Sequence, residues 1–570
     1  MTTVTVAEHV TISRLALALA VRSTRRTLAW PWRFVADFSA RGPRSLAIAP
    51  QDIRTSDPTV ADDIYAGHFH FAGKVVDSHG ISPFAIASGS AEWEASLVGF
   101  AWLRHLRAAE SELARANARA LIDEWISLQG NRTNTIAWQP MVAARRLMAW
   151  ISHSPLVLEG ADAAFYRRMM KSIGKHVLFL KRAVADGLQG EARLFAVLAL
   201  TQAGLCAVGL ESSRRKFEKL LVTTLQQQIL PDGGHVSRNP QILIDVLLDL
   251  LPLRQAFAAR GLPIPQELIS CVDRILPMLR MLRHGDSSLA LFNGMAVTAP
   301  DTLATVLAYD DARAQPILNA HYSGYQRLEA GRTIVICDAG APPPPVFSAK
   351  AHAGTLAFEM SFENQRIFIN CGAPAQARGA LREAARLTAA HSTLVLGDTS
   401  SSRFAGDGLA GQVAEGLIVT GPSPVETRRQ DADGATIIEA THDGYVAAFG
   451  ALHRRSLSLS ADGQRLQGID TLLKPTKGKG SGKAMANADY AIRFHLHPLV
   501  RAGIIENGQG LLLALPTGEA WIFHASGLPL SLEESIFLAA ADGPRTTLQI
   551  VIHGNTASQP EVQWVLDRSA

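Results

Sequence analysis

The chain changes its hydrophobic period once, and that change divides it. Between about residues 90 and 290, apolar side chains recur at three- and four-residue spacing, as in WEASLVGFAWLRHLRAAE, IAWQPMVAARRLMAWISH and PQILIDVLLDLLPLRQAFAA. Beyond about Ala320 that period is gone. Short β-branched or alternating runs replace it, among them RTIVICDAG, GTLAFEMSF, YAIRFHLHP and TTLQIVIHG, each bounded by Gly, Pro, Asp or Asn. A period of 3.6 buries one helix stripe and a period of 2 buries one sheet face, so the two halves cannot share one kind of layer. The expected organisation is a multidomain α and β chain: residues 1–90 an N-terminal helix followed by irregular and short-strand segments, 91–320 helical, and 321–570 a large antiparallel β-sandwich. The helices should pack as antiparallel hairpins. No fixed-length repeat is visible, so a solenoid and a ring of paired helices both remain open.

The length supports this division, since 570 residues exceed what one core organises. With 47% hydrophobic and 19% charged residues the chain is globular. Its formal charge of +4 is spread along the sequence and gives no nucleic-acid signature. Cys206, Cys271, Cys337 and Cys371 have neither CxxC nor zinc-finger spacing, which argues against a disulfide scaffold.

The N-terminal apolar run Leu15–Val21 is short, and Arg22, Arg25 and Arg26 follow where a cleavage site would lie. It is read as a helix, not a signal peptide, and no run is long enough to be a transmembrane segment. A cytoplasmic location is favoured on this ground. The periplasm is an alternative, as is a membrane surface contacted by LALALAVRSTRR with Trp30 and Trp32. Further on, HFHFAGKVV places His68 and His70 on one strand face, more simply a polar face than a metal site.

One stretch concentrates the chemistry. In PDGGHVSRNP, residues 231–240, the glycines interrupt the preceding helix and present His235 and Arg238 on a connection, and Asn239 with Pro240 starts the next helix. Asp245 and Asp249 follow on one face of that helix, as a polar stripe on a largely buried element.

The helical half, the β half and the late DGGH turn together resemble the heparinase II/III-like family of polysaccharide lyases. The supporting residues are FAWLRHL (100–106), WQPMVAARRLMAW (138–150), LPDGGH (230–235), LALFNG (289–294), AHAGTLAFEM (351–360) and RLTAAHSTL (386–394). The resemblance implies an incomplete α/α toroid leading into the β-sandwich, with a substrate cleft between them. It also implies β-elimination on a uronic-acid-containing glycan, an anionic polysaccharide or oligosaccharide. That reaction needs a group to stabilise the charge beside the uronate carboxylate, a base for its proton and an acid for the departing oxygen.

Several family positions are altered. The family's Asn-His pair falls on Glu191 and Ala192, its tyrosine on Ile242, and its HAHAD-like motif reads KAHAG, with Lys350 first and Gly354 last. The catalytic set implied here is therefore His235 in its motif, with Lys350 as base or carboxylate partner, Arg238 beside it, Glu191 as acid and Tyr325 in place of the lost phenol. No cofactor is required. A structural zinc is the inherited option, at His352, Asn370 and His391, with a hydrogen-bonded polar cluster as its alternative. A polysaccharide lyase is the first expectation. The second is a catalytically degenerate glycan-binding or envelope-polysaccharide assembly protein, and a glycoside hydrolase is the third.

Overall fold

A computed structural model describes residues 6–28, 42–309, 315–374, 379–406, 414–432, 435–476, 480–505 and 509–569. Trp30 and Trp32 lie outside them. Successive helices run from Ala91–Gly99 to Pro300–Ala308, and strands follow from Asn319–Ala320 to Glu561–Arg568. The helical half is the α/α toroid and the strands form the sandwich.

The toroid is built on amphipathic helices whose ends are marked in sequence. Ser90, Ser111, Asp162 and Asn239 each accept a backbone N–H at a helix start, supplying the first turns with partners they would otherwise lack. At its centre Trp125 and Trp150 meet edge to face at 5.5 Å, with Phe100, Trp138 and His176 around them. Arg146 is fully buried among these rings. Its guanidinium lies 3.9 Å over Trp125 and donates to His176 Nε2, Val98 O and Ala137 O. The FAWLRHL and WQPMVAARRLMAW strings thus supply much of this helical core.

The sandwich has two antiparallel sheets. One takes the strands from Asn319–Ala320 to Gln365–Ile369, then Asp489–Leu496, Arg545–Asn555 and Leu530–Phe537; the other runs from Val425–Ala432 through Leu452–Leu459, Arg465–Leu473 and Glu561–Arg568 to Arg501–Ile505. Alternate residues point inward, and Phe358 and Phe494 of the first sheet pack against Trp564 of the second, at 5.6 and 4.8 Å. Behind them, Asp470 is held by a paired contact from Arg455, by His453 and by the Trp564 indole N–H. Burial alone would raise the Asp470 pKa, but these partners hold it well below the usual carboxylate range.

The N-terminal helix Val6–Leu28 lies against the strand Ile418–Thr420, and its buried Glu8 pairs with Arg403 at 2.8 Å. The segment HFHF forms a hairpin with KVVD in which Phe69 is buried and His70 exposed, as the alternation predicts. Among the described residues no helix is long and apolar enough to cross a membrane.

Candidate functional site

The DGGH turn sits where toroid meets sandwich, and its glycines are required there. Gly233 has φ +85°, and a Cβ on it would lie 2.0 Å from the carbonyl oxygen of Arg274. A Cβ on Gly234 would meet Ser323 at 2.6 Å. Asp232 fixes the turn to the first strands by accepting from the backbone N–H groups of Tyr322 and Ser323, at 2.8 and 2.7 Å. Only a chain without side chains at 233 and 234 can pass between these walls.

His235 is buried, and both ring nitrogens are occupied. Nε2 donates to Gln228 Oε1 at 3.1 Å, which leaves Nδ1 to accept from Ser237 Oγ at 2.7 Å and the Ser237 backbone N–H at 3.0 Å. That tautomer follows from Gln228, whose amide nitrogen is turned to donate to Gly190 O at 3.0 Å. His235 therefore braces Gln228, and Gln228 braces the start of the helix that carries Glu191. Burial drives the His235 pKa down from 6.5 to about 3, so the ring is neutral and its lone pair is spent inside the fold.

Arg238 adopts φ +60°, a conformation a non-glycine residue holds only when its surroundings compel it. The compulsion is visible in its bonds. Nε donates to Ser323 O at 2.7 Å, Nη1 to Gly340 O at 3.3 Å and Ala341 O at 3.0 Å, and Nη2 pairs with Asp338. Asp338 also accepts from Asn293 Nδ2 at 3.1 Å and Gly340 N–H at 3.2 Å. Tyr325 closes the group by donating to Arg238 O at 2.5 Å and accepting from Asn293 at 2.9 Å. Burial, with Asp338 adding to it and Arg238 opposing, raises the Tyr325 pKa, so the phenol stays protonated. Arg238, Tyr325, Asn293 and Asp338 form a buried interdomain clasp, in which Arg238 meets the carboxylate of Asp338.

Glu191 and Lys350 are placed otherwise. Lys350 is exposed, at the end of the segment that follows Pro345–Phe347. Its backbone carbonyl packs against Gly294, where a Cβ would come within 2.5 Å. Glu191 is half-buried in the first turn of the helix Gly190–Cys206. Burial raises its pKa, the charge of Lys350 opposes, and Asp245 adds to the rise. The structure thus brings Glu191, Lys350 and Asp245 within electrostatic reach, and gathers Arg238 with Tyr325 in the clasp beside the closed-in His235. Ile242 is buried in the core.

Of the three residues considered for zinc, His352 and His391 are bonded to each other, and Asn370 is bonded elsewhere. His391 Nδ1 donates to Leu387 O at 2.8 Å, and its Nε2 faces His352 Nδ1 at 3.0 Å. Asn370 uses both ends of its amide, accepting from the Ser392 N–H at 2.9 Å and donating to Glu359 Oε1 at 3.0 Å. Glu359 is committed in turn to His284, at 3.0 Å. Two neutral imidazoles bonded to each other and a committed neutral amide do not fit Zn²⁺, which needs anionic or free nitrogen donors. Gly354, at the family's Asp position, has the His391 ring 2.7 Å from where a Cβ would stand. Among the described residues no group of three or more His, Cys, Asp or Glu side chains could hold a metal ion.

Sequence reasoning did not anticipate Asn293, Asp338, Gln228 or the buried His284–Glu359 pair. Their partners are distant in sequence, and no local signal marks them. Asp249, read as part of a polar stripe with Asp245, is a carboxylate on a largely buried helix and so requires cationic partners. It has two, Arg145 at 2.6 Å and Arg54 at 2.7 Å.

Residues 312–565 match the model of a family described as Heparinase II/III-like, C-terminal. FtsZ-localized protein C of Caulobacter vibrioides is 34% identical over 522 residues, which are 86% of this chain and 85% of that protein. Among solved structures, heparinase III superposes with a TM-score of 0.68 at 14% identity, over 87% of this chain and 79% of that one. A mutant of the heparan sulfate lyase HepC from Pedobacter heparinus gives 0.64 at 14% identity, over 98% and 90%. These two structures share the fold.

Proposed function

The chain belongs to the heparinase II/III-like family, and from that membership we propose that it keeps the family's fold as a glycan-binding protein without performing β-elimination. One observation carries the reading: His235, the family motif's own histidine, has no free lone pair and no opening to solvent. A general base must reach the proton it removes, and His235 instead spends its lone pair on Ser237. Tyr325 is equally committed, with its hydroxyl donating to Arg238 O. The side chains left of the implied set, Glu191 and Lys350, provide an acid and a cation. No phenol or imidazole with a free lone pair accompanies them in the set that the sequence suggests.

The similarity to a protein named for its localization with FtsZ supports a place for this chain at FtsZ-containing structures, where a glycan-binding scaffold would serve envelope-polysaccharide assembly. The test has two arms. Purified protein is incubated with a panel of uronate polymers while the ultraviolet absorbance of unsaturated uronate is followed, and a fluorescent fusion is imaged beside labelled FtsZ. No absorbance rise and coincident fluorescence are expected. An absorbance rise that is lost in Glu191→Gln or Lys350→Ala would overturn the non-eliminating reading and restore the lyase. A fusion that ignores FtsZ would remove the second part.

A further inference from the structure

The toroid helices line a cavity of about 570 Å³, open to solvent on one side and within the range in which proteins hold small ligands. Its charges are set in a chain. Asp245 faces Arg145 at 3.8 Å, Arg145 holds Asp249 at 2.6 Å, Asp249 holds Arg54 at 2.7 Å, and Arg54 meets Asp52 at 3.3 Å. Asp52 also meets His153 Nε2 at 3.3 Å. Burial would raise Asp52, but the hydrogen bond from His153 and the charge of Arg54 hold it low and ionised. Arg104, on the wall, donates to the carbonyls of Thr55 and Ala101. His105 is pushed down to about 4, by burial first and Arg104 second, and is neutral.

This balance selects the ligand. Three guanidiniums, of Arg54, Arg104 and Arg145, stand among three lining carboxylates, of Asp52, Asp63 and Asp249. A polyanion would have to approach the carboxylates of Asp52 and Asp249, and gains little from Arg54 and Arg145, whose guanidiniums are already paired with them, which leaves Arg104, among the described residues, as the one lining guanidinium bonded to carbonyls alone. Paired Arg and Asp side chains do, however, present donors and acceptors side by side. A vicinal diol is both donor and acceptor, and matches such a row. Met141, Met148 and Leu248 supply an apolar wall for the face of a sugar ring, and the Gln202 amide, which donates to Ser152 Oγ at 3.1 Å, supplies a further polar group.

We propose that this cavity is a binding site for an uncharged sugar unit, held by the Asp52–Arg54–Asp249–Arg145 row. The inference rests on the glycan-binding reading above and narrows it, from an anionic polymer to a neutral saccharide. Asp245, which faces Arg145 at 3.8 Å, extends the row in the direction of Glu191.

The full chain is titrated calorimetrically with cellobiose, with N,N′-diacetylchitobiose and with an unsaturated heparin disaccharide, each to millimolar concentration. Ser96 is exposed at the cavity, so Ser96→Trp narrows it from the rim without disturbing the core; Gln202→Leu removes one polar group from within. Saturable binding of a neutral disaccharide is expected, weakened about tenfold or more in Ser96→Trp and measurably in Gln202→Leu, with both variants melting like the parent. Binding unchanged in Ser96→Trp, binding of the heparin disaccharide alone, or no binding of either neutral sugar would each overturn the proposal. β-Elimination, measured separately on uronate polymers, tests the underlying reading: a lyase that also binds a neutral sugar here would sink that reading and leave this site standing.

Discussion

Asp338→Asn in the interdomain clasp tests most directly whether the DGGH turn is structural. The wild-type carboxylate is buried and opposes the Arg238 guanidinium, whose burial depresses its pKa while Asp338 more than restores it. Removing the charge leaves a buried guanidinium with only carbonyl partners, at a cost of about 3–5 kcal/mol. Arg238→Met should cost more. It strands the carboxylate and also deprives Ser323 O and Ala341 O of their donor, at about 1 kcal/mol for each, while Gly340 O keeps the Thr355 hydroxyl. The double variant Arg238→Met/Asp338→Leu removes both charges, so its loss should fall well short of the sum, with a coupling energy of about 2 kcal/mol or more. Urea unfolding followed by tryptophan fluorescence gives the three differences, provided that the transition is a single cooperative step. Single losses below about 1 kcal/mol, or a double variant whose loss equals the sum, would refute the clasp.

Acid should weaken the fold through His235: its pKa is about 3 folded against 6.5 unfolded, so below pH 6.5 the unfolded chain takes up a proton that the folded one refuses. Stability is then fully present above pH 6.5 and falls as the pH drops toward 3. His235→Gln should make the urea midpoint measurably less pH-dependent over that window, and an unchanged slope would contradict the buried neutral ring. Gly233→Ala forces a Cβ to within 2.0 Å of Arg274 O at φ +85°, and a loss of about 2 kcal/mol or more is expected; a thermal melt like the parent's would show that the turn has room. Zinc should give no protection against urea at micromolar concentration, whereas a midpoint rising with added zinc would show that the His352–Asn370–His391 cluster binds it.

The fold was legible because its signal is local and repeated. Each helix carries its own stripe and several carry a capping residue, and each strand carries its own alternation, so a helices-then-sandwich order could be read without knowing any contact, while the toroid came from the family resemblance. The site was legible only in part. The DGGH glycines marked a turn that presents His235 and Arg238, and Asp245 with Asp249 marked a polar stripe on a largely buried helix, but neither named the groups they would meet. The role of His235 was not legible, because Gln228 and Ser237 decide which nitrogen carries its proton.

The sequence by itself determined the order of helices and strands, the position of the turn and the replacement of several family residues, since period and residue type act within a few positions along the chain. Only the tertiary structure decided that Arg238 meets Asp338, that Tyr325 caps the same turn and that Arg54 and Arg145 flank Asp249. Those pairings join residues some 90 to 200 positions apart, and a buried charge has no fixed identity as catalyst or clasp until folding supplies its counter-charge.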